Sequence, residues 1–171
     1  CIVSPQKCHY AAGTCREPQW GEQHCMTDHF VYLANTSGIK VGITRGSQVP
    51  TRWMDQGATQ ARPIFRVASR LHSGLVEATF KAHIADKTNW RAMLKLVPPD
   101  HDALREARER ALANLREHLQ QYVLPHEEPL DIGYPVLAYP PKVTSVSLEK
   151  SPVLSGRLLG AKGQYLLFED G

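Results

Sequence analysis

The stretch Phe30-Val31-Tyr32-Leu33-Ala34-Asn35-Thr36-Ser37-Gly38-Ile39-Lys40-Val41-Gly42-Ile43-Thr44 decides the fold. Phe30 to Ala34 is a run of β-favouring residues, and Ile39 to Thr44 alternates apolar and polar or small residues. Asn35-Thr36-Ser37-Gly38 between them is a turn cluster. The reading is a β-hairpin, in which side chains two apart share a face. Tyr32 and Lys40 then lie on paired strands and can meet on one face.

Further along, Pro50 to Gln56 reads as a short helix, with Ser47 as a capping residue, Trp53 or Met54 as anchor and Gly57 as its stop. Pro63 to Ala68 reads as a third strand. A second helix is expected from Gly74 to about Ala85, capped by Ser73, with Glu77 beside its apolar stripe. Thr88 to Leu94 leads into another short helix. Pro98-Pro99 breaks the chain, and Asp100 or Asp102 starts a long amphipathic helix expected to reach Val123.

Pro125 to Pro129 reads as a linker. Beyond it, Tyr134–Tyr139, Val143–Leu148, Val153–Leu159 and Gln164–Phe168 resemble short strands, the opening of a partial barrel. Lys162 and Tyr165 are read there as a loop lysine and a half-buried tyrosine, with contact to a single-stranded nucleic acid as the alternative. The expected fold class is α+β: a small three-stranded antiparallel sheet with flanking helices, preceded by a cysteine-rich segment and followed by a small β segment. The divisions are 1–27, 28–97, 98–128 and 129–171.

All four cysteines of the 171 residues fall early: Cys1, Cys8, Cys15 and Cys25, interleaved with His9, His24 and His29. So short a segment, with few apolar residues, needs a staple. Three readings stand: a zinc site on Cys1, Cys8, Cys15 and Cys25, disulfides or free thiols, and an iron–sulfur cluster. There is no C-x-x-C pair to sharpen the choice. No run of apolar residues is long enough for a membrane span, and no signal peptide is visible, so a cytoplasmic chain is expected. The absence of a starting Met and the terminal Tyr165–Phe168 run read as a piece cut at both ends. Oligomeric state is not legible.

Net charge is only +3, but it is unevenly spread. Between Lys40 and His72, the six basic residues Lys40, Arg45, Arg52, Arg62, Arg66 and Arg70 face a single acid, Asp55. From Asp100 to Glu128, four arginines face seven acids, Glu127 among them. A local arginine excess is the footprint expected for a phosphate backbone, and it would also suit an acidic protein.

From about Asp28 to Leu94 the chain resembles a divergent GIY-YIG nuclease domain. Phe30-Val31-Tyr32 stands in place of the first triplet and Lys40-Val41-Gly42 in place of the second, with phenylalanine, valine and lysine departing from the pattern. The resemblance implies catalytic roles for Tyr32, Lys40, Arg52, Glu77 and, more loosely, Asn89, with Glu77 holding Mg²⁺ or Mn²⁺. The whole chain also resembles a bacterial domain family of unknown function, through the runs GTCREPQWGEQHC, KVGIT, RWMDQGA and KGQYL.

The residue types suit the chemistry in their own right. A lysine beside a tyrosine favours phenolate and offers a base. Arginine clamps a phosphate with its planar fork, and one carboxylate suffices for a Mg²⁺ that keeps most of its waters. Three functions are expected from these residues: a metal-dependent nuclease on DNA or RNA, a non-catalytic nucleic-acid-binding module, and a zinc-stapled protein-interaction scaffold.

Overall fold

The computed structural model describes residues 1, 3–81, 83–113, 115–126 and 128–169. Glu127 and the terminal residues 170–171 lie outside them. The centre is a four-stranded antiparallel sheet of β1 (His29–Asn35), β2 (Ile39–Arg45), β3 (Gln60–Val67) and β4 (Leu130–Asp131), in the order β2-β1-β3-β4. The hairpin is as expected, pairing Tyr32 with Gly42 and Ala34 with Lys40. The fourth strand was not anticipated: the chain beyond the linker returns to β3, where the Ile132 amide donates to the Thr59 carbonyl at 2.9 Å.

Strand alternation divides the sheet into two faces. Val31, Leu33, Val41, Phe65 and Val67 form one core with Val76 and Phe80 of α3 (Arg70–Phe80) and Leu104, Ala107 and Ala111 of α5 (His101–Ala113). Tyr32, Ala34 and Ala61 occupy the other face with Trp53 of α2 (Thr51–Asp55) and Ala58. A register shift in the β1–β3 pairing, between Val31 and Tyr32, lets Ile64 and Phe65 both serve the first core.

Three helix boundaries differ from expectation. The N-cap of α3 is Ser69, whose hydroxyl accepts from the His72 amide at 3.3 Å; Ser73 is buried inside the helix and donates to the Arg70 carbonyl at 2.8 Å. The helix stops at Phe80, because the chain beyond it runs beside β2, where the Val41 amide donates to the Ala85 carbonyl at 2.8 Å. The long helix ends at Ala113, and a 3₁₀ segment, Glu117–Tyr122, carries Leu119 and Tyr122 onto the core instead. As anticipated, Gly57 follows α2 with φ +68°.

The cysteine-rich segment consists of two 3₁₀ turns, Pro5–Lys7 and Tyr10–Ala12, and helix α1 (Pro18–His24). It does not stand alone. Pro5 and Gln6 lie so close over Gly74 of α3 that a Cβ there would be 2.5 Å from the Gln6 nitrogen. The segment thus has an anchor on the core that is independent of any staple.

At the C-terminal end the expected set of four strands reduces to one hairpin, β5 (Leu158–Lys162) and β6 (Tyr165–Phe168), with a bridge from Val136 to Gly160. There is no closed barrel among the described residues. The Val143–Leu148 and Val153–Leu159 runs leave Val146, Leu148 and Val153 exposed. Prolines at 140, 141 and 152 interrupt the chain just before each of these runs. The hairpin instead packs Leu167 against Met93 of α4 (Trp90–Met93) and Leu94. Lys162, expected in a loop, is fully buried.

Candidate functional site

The second face of the sheet carries Tyr32 and Lys40, two of the polar residues singled out in the sequence. Tyr32 is 1% exposed, with its ring 5.9 Å from that of Trp53 and its hydroxyl donating to Gln56 Oε1 at 3.0 Å. Trp53 seats α2 on the sheet, and Arg52 and Gln56, one helical turn apart, then reach the same phenol. Gln56 was not singled out as a site residue; its place four positions from Arg52 on a short helix, within the run RWMDQGA, is the signal that points to it.

Gly42 explains how the tyrosine fits. It lies opposite Tyr32 on β2, and a Cβ built there would be 2.6 Å from the Tyr32 hydroxyl and 2.7 Å from Cζ. The phenol therefore lies flat across a position that only glycine leaves open. Gly42→Ala is expected to displace Tyr32 and to cost about 2–3 kcal/mol, as overpacking of a filled site does. Chemical denaturation measures the loss, and a variant as stable as the parent would contradict this packing.

Lys40 lies on the same face, 5% exposed, beside Ala34. Glu77 of α3 is 8% exposed and comes in beside the Val76–Phe80 stripe. Arg52 and Glu77 are each close enough to act electrostatically on both Tyr32 and Lys40. Two further groups adjoin this quartet. Lys81 Nζ lies 3.1 Å from Glu77 Oε2 and 3.1 Å from Asp86 Oδ2, and Asp86 also acts on Lys40. The Asp86 carboxyl is held below its usual range by its hydrogen bond from Lys81.

Protonation differs from the expected phenolate. Burial pushes Tyr32 up to about 12, against the pull of Arg52 and the Gln56 hydrogen bond. At neutral pH it is a hydrogen-bond donor. Burial, reinforced by Arg52, brings Lys40 down to about 8, although Asp86 and Glu77 oppose this. Lys40 is thus the member of this pair that titrates close to neutrality.

The remaining predicted residues fall elsewhere. Asn89 caps α4, its Oδ1 accepting from the Ala92 amide at 3.2 Å, while its own amide donates to Ser37 Oγ at 3.0 Å. Asn89 thereby ties the hairpin tip to α4. Arg62 was expected to meet phosphates but is 2% exposed, with Nη1 3.4 Å from His126 Nε2. Being interior, it is withdrawn from the phosphate-facing set. Arg66 is exposed and pairs with Asp28, its Nε 3.0 Å from Oδ2. Arg45 and Arg70 both act on Cys25 and His29, which places them around the start of β1.

As for metals, one carboxylate of the quartet, Glu77, fits a Mg²⁺ that would draw its other ligands from water and substrate. Among the cysteines, Cys8 and Cys15 are near enough to act on Cys25, whose thiol is raised, first by burial. Among the described residues no group of three or more His, Cys, Asp or Glu comes together to hold a metal. No helix among them is long and apolar enough to cross a membrane.

A buried tyrosine and a lysine that titrates close to neutrality share one sheet face, and an arginine and a carboxylate act on both; together they define a candidate site without an assigned reaction. The chain belongs to the DUF2797 family, described as a protein of unknown function, whose model matches residues 1–171. No curated protein and no solved structure matches the chain.

Proposed function

We propose that this chain binds nucleic acid and hydrolyses its phosphodiester bonds with Mg²⁺ or Mn²⁺, using a GIY-YIG-like site formed by Tyr32, Lys40, Arg52 and Glu77. The observation that carries the reading is that Tyr32 and Lys40 share one sheet face and that Arg52 of α2 and Glu77 of α3 are both close enough to act electrostatically on each of them. Arg52 neutralises a non-bridging phosphate oxygen with its planar fork. Lys40, in its neutral form, takes the proton of the attacking water. Tyr32 stays protonated and fixes Gln56 and the edge of the site. Glu77 would hold the cation, whose chemistry when bound is to neutralise phosphate charge and acidify a water.

Lys81 already bridges Glu77 to Asp86, so an incoming cation competes with an ammonium for the same carboxylate. That contact, together with the burial of Tyr32 and Lys40, favours a second reading: a binding module that keeps the surface without turnover. Cleavage of labelled DNA and RNA separates the two. The first reading expects Mg²⁺-dependent products that vanish with a chelator and with Lys40→Met. Salt-sensitive binding without products would select the second.

A further inference from the structure

Besides the quartet, the same sheet face carries an open hollow at its other end. It has a volume of about 670 Å³ and is lined by Gln23, His24, Asp28, Phe30, Arg45 and Arg66, among others. That size is within the range of small-molecule sites. Phe30 is two residues before Tyr32 on β1, and its partners across the sheet are Thr44 and Arg66. Alternation puts Phe30 and Arg66 on the Tyr32 side, about 7 Å along the strand from the phenol. Helix α1 of the cysteine-rich segment closes the other wall with His24, which meets the exposed Trp20 edge-on at 4.6 Å between ring centroids.

The composition of this hollow is selective. Phe30 is half-buried and offers an aromatic surface. Two guanidiniums, Arg45 and Arg66, stand at its rim, and Arg70 is close enough to act on the neighbouring His29 and Cys25. Asp28 holds Arg66 by its Nε and Nη2, which fixes one edge of the fork and leaves Nη1 for another acceptor. An aromatic ring framed by arginines suits a ligand with a flat π-face and a phosphate: a nucleotide unit. An acidic peptide would satisfy the arginines but leave the ring without a stacking partner.

We infer that this hollow is a subsite for one unpaired nucleotide adjoining the phosphate held by the quartet, with its base on Phe30 and its phosphate on Arg45 and Arg66. The inference rests on the proposed nucleic-acid function, and adds to it a single-stranded flank and a role for α1 as a wall of the binding face. Phe30, which lines the hollow, stands two positions from Tyr32 on β1, so one strand of nucleic acid running along β1 would meet both sites in turn.

The test is the affinity of the full chain for fluorescein-labelled oligo-dT and oligo-U of about 12 nucleotides, a typical single-strand site length. It is measured by anisotropy in a chelating buffer, so that no cleavage contributes. Phe30→Ala is expected to weaken binding about tenfold, the usual loss of one base–aromatic stack, without changing the salt dependence. Arg45→Gln and Arg66→Gln should each weaken it and lower the salt slope by about 0.7. Phe30→Leu keeps an apolar side chain and removes only the flat ring, so it must show the same loss as Phe30→Ala with an unchanged melting temperature.

Binding within twofold of the parent for Phe30→Leu and both arginine variants would overturn the subsite. So would displacement of the oligonucleotide by poly-glutamate as readily as by unlabelled oligo-dT. Phe30-dependent binding in a chain that cleaves nothing would uphold the subsite and remove the catalytic reading. Cleavage by Phe30→Leu with the parental KM would remove the subsite alone.

Discussion

Glu77→Gln is expected to reduce Mg²⁺-dependent cleavage by about 10²- to 10³-fold, the factor that losing several kcal/mol of transition-state charge stabilisation entails. Glu77 is the one carboxylate that acts on both Tyr32 and Lys40, and it lies almost wholly within the protein. Glutamine preserves its volume, and Lys81 keeps Asp86 at 3.1 Å as a partner, so the fold is retained. Affinity for an oligonucleotide in chelator should stay the same or tighten slightly, because a negative charge has left a phosphate-binding face. Single-turnover cleavage and anisotropy on the same preparation give both numbers. Equal losses of binding and of cleavage would mean that Glu77 holds the structure and not a cation.

Lys162 provides a second large effect, on stability. Its ammonium is fully buried near the rings of Tyr134 and Tyr139, 5.5 and 5.2 Å away, and donates to the Lys95 carbonyl at 3.3 Å. Burial brings it down from 10.5 to about 8. Between those values the unfolded chain binds more protons than the folded one, so stability rises with pH across that window. Below pH 8 the charged amine carries its full cost, about 3 kcal/mol at 1.36 kcal/mol per unit.

Lys162→Met removes that dependence. The difference in unfolding free energy between variant and parent should move by about 3 kcal/mol in the parent's favour as pH rises from about 7.5 to 10.5. Lys40 shifts in the same direction, and Tyr32, raised to about 12, gains a destabilising pull as pH rises above 10; both are present in both proteins and cancel. Denaturation at several pH values measures the swing. A difference independent of pH would mean that Lys162 reaches solvent.

The sheet was legible because the hairpin states its own period. Alternation from Phe30 to Thr44 fixes which side chains share a face, and Asn35 to Gly38 can only be a turn. The same alternation placed Tyr32 and Lys40 on one face, whereas Arg52 and Glu77 were singled out only through the resemblance to the GIY-YIG pattern. The protonation of Tyr32 and Lys40 was not legible, since it depends on burial by α2 and α3 that no local pattern records.

Ser73 was expected as the cap of α3, and Ser69, four residues earlier, takes that place. The choice was made by the cysteine-rich segment, whose Pro5 and Gln6 cover Gly74 and bury that turn inside the helix. Arg62 and Lys162 look like ordinary surface cations, and only the long-range return of the chain at 123–126, 130–131 and 158–168 brings neighbours against them. Lys81 and Asp86 escaped notice because they acquire a role only when the chain after α3 runs along the edge of β2.

Whether the quartet cleaves a phosphodiester is the central question. The direct measurement is single-turnover incubation of labelled single- and double-stranded DNA and RNA with excess protein, with Mg²⁺ or Mn²⁺ and with chelator. The predicted result is metal-dependent product that Glu77→Gln and Lys40→Met suppress while binding persists. Intact substrate with every metal and every nucleic acid, from protein that binds the same oligonucleotides, would contradict it.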